Sequence, residues 1–190
     1  DTTGPTADAL PDLGPFACYS EIPAPDIADV TNVSDNCGGT VNVSHLSDGS
    51  NPGCNGTVVR TYRLEDACGN TTNVTQNIIV EYSGALTPPS NGTSTVTCPA
   101  QATQPLAPAN ITDACGRTVT PVLVGQDDAS PTCNGTVVWR YRYTACDNTT
   151  TADWTHTYTI IKNNPSITLC PTDQTFCSVP AGTYTIPQIT

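Results

Sequence analysis

The chain has 190 residues, ten cysteines, no methionine and a formal net charge of −11. That charge argues against nucleic acid and anionic membrane surfaces as partners, and no apolar run is long enough to span a membrane. The cysteine count is even and high, there is no CxxC, and no histidine lies near the closest pair, Cys170 and Cys177, so disulfides in an oxidising compartment are expected rather than a metal site. The chain starts at Asp1 without an initiator Met, as expected of a processed protein or a piece of a longer one. Lysine occurs once, at Lys162, and 17 prolines and 14 glycines punctuate short Thr- and Ser-rich segments, a composition for strands and turns.

Taken in order, strands are predicted near 13–19, 27–33, 40–46, 57–65 and 73–82, then near 94–98, 118–124, 136–144 and 154–162. In the fourth, Val58, Arg60, Tyr62 and Leu64 fall on one face; their counterparts are Val137, Trp139, Tyr141 and Tyr143. In the fifth, Val74, Gln76, Ile78 and Val80 match Trp154, His156, Tyr158 and Ile160. The string CNGTVV, identical at Cys54 and Cys133, marks an internal duplication, with Cys18 and Cys98 upstream of each copy. We therefore expect an all-β protein of two tandem Ig-like β-sandwich repeats, residues 1–83 and 84–164. Residues 165–190 read as the opening strands of a third repeat.

Repeats of about 80 residues bury little surface, so covalent staples are expected to supplement the core. Four cysteines per repeat allow three pairings. Cys54 and Cys68 flank one strand of roughly 9 residues and so lie about 30 Å apart, too far to bond. Cys37 and Cys68 share one end of a repeat, Cys18 and Cys54 the other. Considered one repeat at a time, this gives Cys18–Cys54, Cys37–Cys68, Cys98–Cys133 and Cys115–Cys146, with Cys170 left to bond Cys177.

The strings EIPAPDIADVTNVSDNCG, TVVRTYRLEDACGN and NVTQNIIVEY resemble the tandem Ig-like repeats of secreted Bacteroidetes surface proteins and, more distantly, hyalin repeats with their DNCG and DAxGN turns. The likeness spans nearly the whole chain, departing at TACDNTTT, where DACGN is altered. The resemblance implies an extracellular location and use as a stalk, spacer or adhesin.

No GxSxG, HExxH, P-loop or dinucleotide-binding glycine motif is present, and the two histidines, His45 and His156, lie in unrelated strands. His156 stands where the other repeat has Gln76, which marks it as a packing residue, and no enzymatic activity is expected. No cofactor is expected either; calcium on the loop carboxylates Asp26, Asp29, Asp35, Asp48 and Asp66 is the weaker expectation, since no EF-hand pattern occurs. Glycosylation is the stronger signal. Sequons occur at Asn32, Asn42, Asn55, Asn70, Asn73, Asn91, Asn110, Asn134 and Asn148, where 14 Asn and 44 Ser plus Thr predict about three by chance. Asn55, Asn70, Asn134 and Asn148 recur in both repeats and are the leading candidates. Asp1-Thr2-Thr3 resembles the short O-glycosylation motif of Bacteroidetes secreted proteins.

Two functions fit: a structural subunit of an extracellular fibre or stalk, and an adhesin module binding a glycan or protein. Trp139 and Trp154 fall in strands, leaving no aromatic cluster in a loop to stack on sugar, which favours the fibre. In the C-terminal segment, Tyr184, Ile186 and Ile189 alternate as an apolar strand edge. Added to the sheet of a second copy, such a strand builds a head-to-tail homo-oligomeric filament.

Overall fold

The computed structural model describes residues 2–127 and 134–161. Among these residues the strands are β1 (Leu13–Phe16), β2 (Asn42–Asp48), β3 (Gly56–Glu65), β4 (Thr71–Val80), β5 (Gly92–Val96), β6 (Ile111–Thr112), β7 (Thr118–Val119), β8 (Val122–Gln126), β9 (Gly135–Thr144) and β10 (Thr151–Ile160). Each repeat contributes one four-stranded mixed sheet, in the order β1-β4-β3-β2 and then β5-β10-β9-β8; β6 and β7 form a separate ribbon. The chain is all-β and built from two copies of one plan. In each copy the two long central strands form a hairpin, the first strand joins it in parallel, and the remaining strand joins it antiparallel.

The period-two alternation of the central strands becomes the core. Val58, Arg60, Tyr62 and Leu64 of β3 and Gln76, Ile78 and Val80 of β4 are buried, as are Val137, Tyr141, Tyr143, Trp154 and Ile160 of β9 and β10. Leu13, Phe16, Tyr19 and Ile22 complete the apolar cluster of the first repeat. In the second, Val119, Leu86 and Ile111 pack on Tyr141, Tyr143 and Trp154, while Ala102 and Val96 pack on Val137 and Ile160.

The inner face of each sheet is covered in large part by irregular chain rather than by long strands. That explains its unusual polarity. A coil layer carries carbonyl groups that no ladder satisfies, and each needs a donor once buried. The sheet supplies them. Arg60 Nη2 donates to Pro23 O (2.8 Å) and Gln76 Nε2 to Pro11 O (3.1 Å). Trp139 Nε1 donates to Ala102 O (3.1 Å), Tyr141 Oη to Pro105 O (2.9 Å), Tyr143 Oη to Ala109 O (2.7 Å) and Trp154 Nε1 to Ser90 O (2.8 Å).

The strand expected at 27–33 belongs to this coil layer and is not a strand. Ile27–Asp29 forms a single 3-10 turn, with the Asp26 carboxylate accepting from Ala28 N at 2.9 Å. A local side-chain cap outcompetes the ladder there, and Ile27 points outward, 52 % exposed.

Candidate functional site: the cysteine junction between the repeats

Three of the turns share one construction. In Asp35-Asn36-Cys37-Gly38, Asp66-Ala67-Cys68-Gly69 and Asp113-Ala114-Cys115-Gly116, the Asp carboxylate accepts the Cys backbone N–H at 2.8 to 3.0 Å. The glycine follows at φ +68°, +87° and +79° and closes the turn on the Asp carbonyl. This left-handed position favours glycine, because an L side chain there is strained. Each turn holds its cysteine at a tight reversal of the chain. In the second repeat the fourth such cysteine, Cys146, sits in a related turn. There Asn148 takes φ +58° and donates to Ala145 O, the role Gly69 plays toward Asp66. By this hydrogen-bond pattern Asn148 corresponds to Gly69, one position from the match with Asn70 that the sequence suggests.

These turns are electrostatically fixed. Hydrogen bonding from Asn70, then the backbone amides, holds the Asp66 carboxyl below the usual range, and Thr150 and Thr149 do the same, more strongly, for Asp147. Burial raises the Asp113 carboxyl, but the Arg117 backbone and guanidinium and the Cys115 amide outweigh it and the net shift is downward.

The disulfides run between the repeats. Cys18 is bonded to Cys115 (Cα–Cα 5.4 Å) and Cys54 to Cys146 (Cα–Cα 5.7 Å). The expected pairs Cys18–Cys54 and Cys115–Cys146 are therefore replaced, and Cys37 and Cys68, expected to pair, are both exposed and, among the described residues, unbonded. The physical reason is the stacking of one repeat on the next. Cys18 and Cys54 lie together at the end of repeat 1 that meets repeat 2, and the nearest thiols are those carried by the Cys115 and Cys146 turns opposite. Pairing within an end is sterically reasonable for an isolated repeat, but the tandem neighbour brings better-placed partners. Cys98 is exposed and unbonded among the described residues; its expected partner Cys133, together with Cys170 and Cys177, lies outside them.

Polar contacts close around the two bonds. The Arg117 guanidinium donates to Gly53 O across the junction, pairs with Asp113 (2.8 Å) and lies 4.9 Å from the centre of the Tyr82 ring. Tyr82 is buried, and burial followed by the Asp113 charge pushes its phenol upward. Its backbone N–H donates to Asn55 Oδ1 at 2.7 Å, so the junction draws on the chain just before β3 and just after β4.

The remaining candidate residues fall elsewhere. Asn32, Asn42, Asn55, Asn73, Asn91, Asn110, Asn134 and Asn148 are exposed; Asn70 is half-buried, and its Nδ2 donates to Asp66 at 2.8 Å. Tyr184, Ile186 and Ile189 lie outside the described residues. Each loop acid named for calcium has been placed: Asp26, Asp35 and Asp66 cap turns, Asp48 pairs with Arg60 and His45, and Asp29 ends a 3-10 turn. Among the described residues no group of three or more His, Cys, Asp or Glu is arranged to hold a metal ion. His45 contacts Asp48 (3.0 Å) and His156 contacts Ser94 Oγ (2.9 Å), on different sheets. The buried Arg60–Asp48 pair was not singled out from the sequence; an arginine on an otherwise apolar strand face was the signal.

The model of the HYR-like domain with 4 cysteines matches residues 10–80 and again 86–160. The chain belongs to this family. Each match contains four cysteines, Cys18, Cys37, Cys54 and Cys68 in the first and Cys98, Cys115, Cys133 and Cys146 in the second. HYR-like domains are extracellular repeat modules and not an enzyme family. No curated protein matches the chain significantly.

Proposed function

We propose that the chain is a structural subunit of an extracellular fibre or stalk that assembles head-to-tail. The observation that carries this reading is the pair of disulfides across the junction of consecutive HYR-like repeats. A binding module gains little from locking its repeats together, whereas a load-bearing rod depends on it. Strand addition is the non-covalent route. Among the described residues β8 is an edge strand whose Val122, Leu123 and Val124 are exposed at 67 %, 38 % and 53 %, an apolar edge of the kind that accepts a further strand. In the C-terminal sequence Tyr184 and Ile186 are two positions apart, as on one strand face, which favours this segment as the donor. The exposed sequons support a glycan coat on the finished fibre.

Negative-stain microscopy of the 190-residue chain, beside a variant lacking residues 165–190, tests this. Filaments from the full chain that are lost on deletion support strand addition. Undiminished filaments from the shortened chain overturn the donor role, and monodisperse monomer from the full chain at high concentration overturns the fibre.

A further inference from the structure

A polar cleft crosses the junction beside the Cys54–Cys146 bond. It is open, about 510 Å³ in volume, and lined by Asn55, Thr57, Glu81 and Tyr82 from repeat 1 and by Asp147 and Thr149 from repeat 2. That volume falls within the range of about 300–1,000 Å³ that holds small organic ligands. Asn55 and Thr57 are the first and third residues of the sequon Asn55-Gly56-Thr57, so the modifiable residue is itself part of the wall.

We propose that this cleft seats the first sugar of a glycan carried on Asn55, so that the modification bridges the two repeats over the Cys54–Cys146 bond. This deepens the glycan-coat part of the fibre reading and rests on it.

Three observations carry it. First, the Asn55 carboxamide is oriented. The Tyr82 N–H can only donate, so the atom that faces it at 2.7 Å is Oδ1. Nδ2, the atom that a sugar is attached to, is left without a partner among the described residues, on a side chain that is exposed. The sequons differ in this respect. Asn32 and Asn70 commit Nδ2 to Asp8 and Asp66. Asn91 shares the arrangement, its Oδ1 accepting from Thr155 N at 3.0 Å, but it does not line this cleft.

Second, the lining offers what a sugar ring binds. Glu81 is exposed, and its carboxylate has no partner among the described residues; it can accept from a sugar hydroxyl in a charge-assisted bond. The hydroxyls of Thr57 and Thr149 add further partners, that of Thr149 fixed by its bond to Asp147 at 2.7 Å. Third, attachment makes weak contacts sufficient. A sugar bonded to a residue of the wall meets the rest of the cleft at the effective concentration of an intramolecular partner. Asn55 adjoins Cys54 and Asp147 adjoins Cys146 in sequence, so a sugar that reaches from one to the other lies over the bond between those cysteines.

The attachment makes one bond and breaks one. Nδ2 bonds the anomeric carbon of an activated sugar donor, the bond from that carbon to the donor's pyrophosphate breaks, and the pyrophosphate leaves with its electron pair. One Nδ2 proton is lost, and Oδ1 keeps its bond to Tyr82.

The experiment uses the full chain purified with its native sugars, beside the same chain made in a host without N-glycosylation. Glycopeptide mass spectrometry reads Asn55, and timed alkylation reads the loss of each disulfide in dithiothreitol. Sugar is expected at Asn55. The Cys54–Cys146 bond should be reduced several-fold more slowly in the native chain than in the bare one, and Cys18–Cys115 should change far less, because exchange depends on access of the attacking thiolate. Thr57→Ala removes the sequon and keeps Asn55; it should bring the native chain to the bare rate and leave the bare chain unaltered. Glu81→Gln should keep the sugar and lose part of the protection. A bare Asn55 in material that carries sugar at other sequons overturns the proposal and leaves the glycan coat standing, whereas sugar at no sequon overturns both. Sugar at Asn55 with equal reduction rates in native and bare chains overturns the seat, as does protection that survives Thr57→Ala.

Discussion

Replacing Arg60 with alanine should destabilise the first repeat more than any other single charge removal in it. The side chain is 1 % exposed, its Nε and Nη2 bind Asp48 at 2.8 and 2.9 Å, and its Nη2 also binds Pro23 O at 2.8 Å. Truncation strands a carboxylate that is 24 % exposed and a carbonyl of the coil layer, and it opens a cavity between them. Losing one partner of a buried pair costs about 3–5 kcal/mol, which in a repeat of this size lowers the melting temperature by at least about 12 °C. The loss should depend on pH. Hydrogen bonding from Arg60 holds the Asp48 carboxyl below its ordinary value of 3.8. The pair's contribution is therefore fully present above that value and fades as pH falls through the lowered folded value. Urea denaturation of wild type and Arg60→Ala at pH 7 and in acid should show the gap narrowing in acid. Arg60→Met/Asp48→Leu should recover much of the loss, because a well-packed apolar pair can replace a buried ionic one. A cost under about 1 kcal/mol for Arg60→Ala, or a gap independent of pH, refutes the reasoning. Arg142→Ala, on a side chain 46 % exposed, is the control and should shift the midpoint far less, since water already solvates it.

Reduction should lower the melting temperature steeply. The two bonds close spans of 97 and 92 residues, and the chain-entropy account assigns about 4–5 kcal/mol to the first such closure; calorimetry with and without a phosphine reductant reads it, and an unchanged melting point contradicts the assignment. Asp113→Ala removes an acceptor of three hydrogen bonds beneath Cys115. It should cost about 1–3 kcal/mol and speed reduction of Cys18–Cys115 by dithiothreitol, read by timed alkylation; an unaltered rate argues against the turn as the support of that bond. Intact-mass and glycopeptide analysis of native material should find sugar at exposed sequons such as Asn55 and Asn134 and none at Asn70, whose amide nitrogen is committed to Asp66. Occupancy at Asn70, or a bare polypeptide mass, contradicts this.

The inner faces were legible in the sequence because period two is a local property. Val58, Arg60, Tyr62 and Leu64 alternate with outward residues, and nothing distant is needed to see it. The coil layer was less legible. Residues 27–33 carry strand-forming Ile and Val, but Asp26 offers a cap to Ala28 that only the folded turn reveals. The grouping of cysteines by end followed from strand length and direction. Their partners did not, because the decisive fact is the contact between two repeats, and a single repeat's pattern contains no information on its neighbour. Trp139, Tyr141, Tyr143 and Trp154 read from sequence as apolar bulk; the carbonyls they satisfy belong to segments without any periodic signal.

The junction also explains why a small repeat with so little core is useful in series. Two domains joined by one strand of chain bend and twist about it. Here the connecting segment after β4 is joined by two further covalent links, Cys18–Cys115 and Cys54–Cys146. Three attachments at separate points remove the bending and torsional freedom that one leaves, without requiring a large apolar interface. The non-covalent surface can then stay polar, as Arg117, Asp113 and Gly53 show. The covalent link and its local support thus form one device, since the turn that presents Cys115 to the preceding repeat is itself held by Asp113.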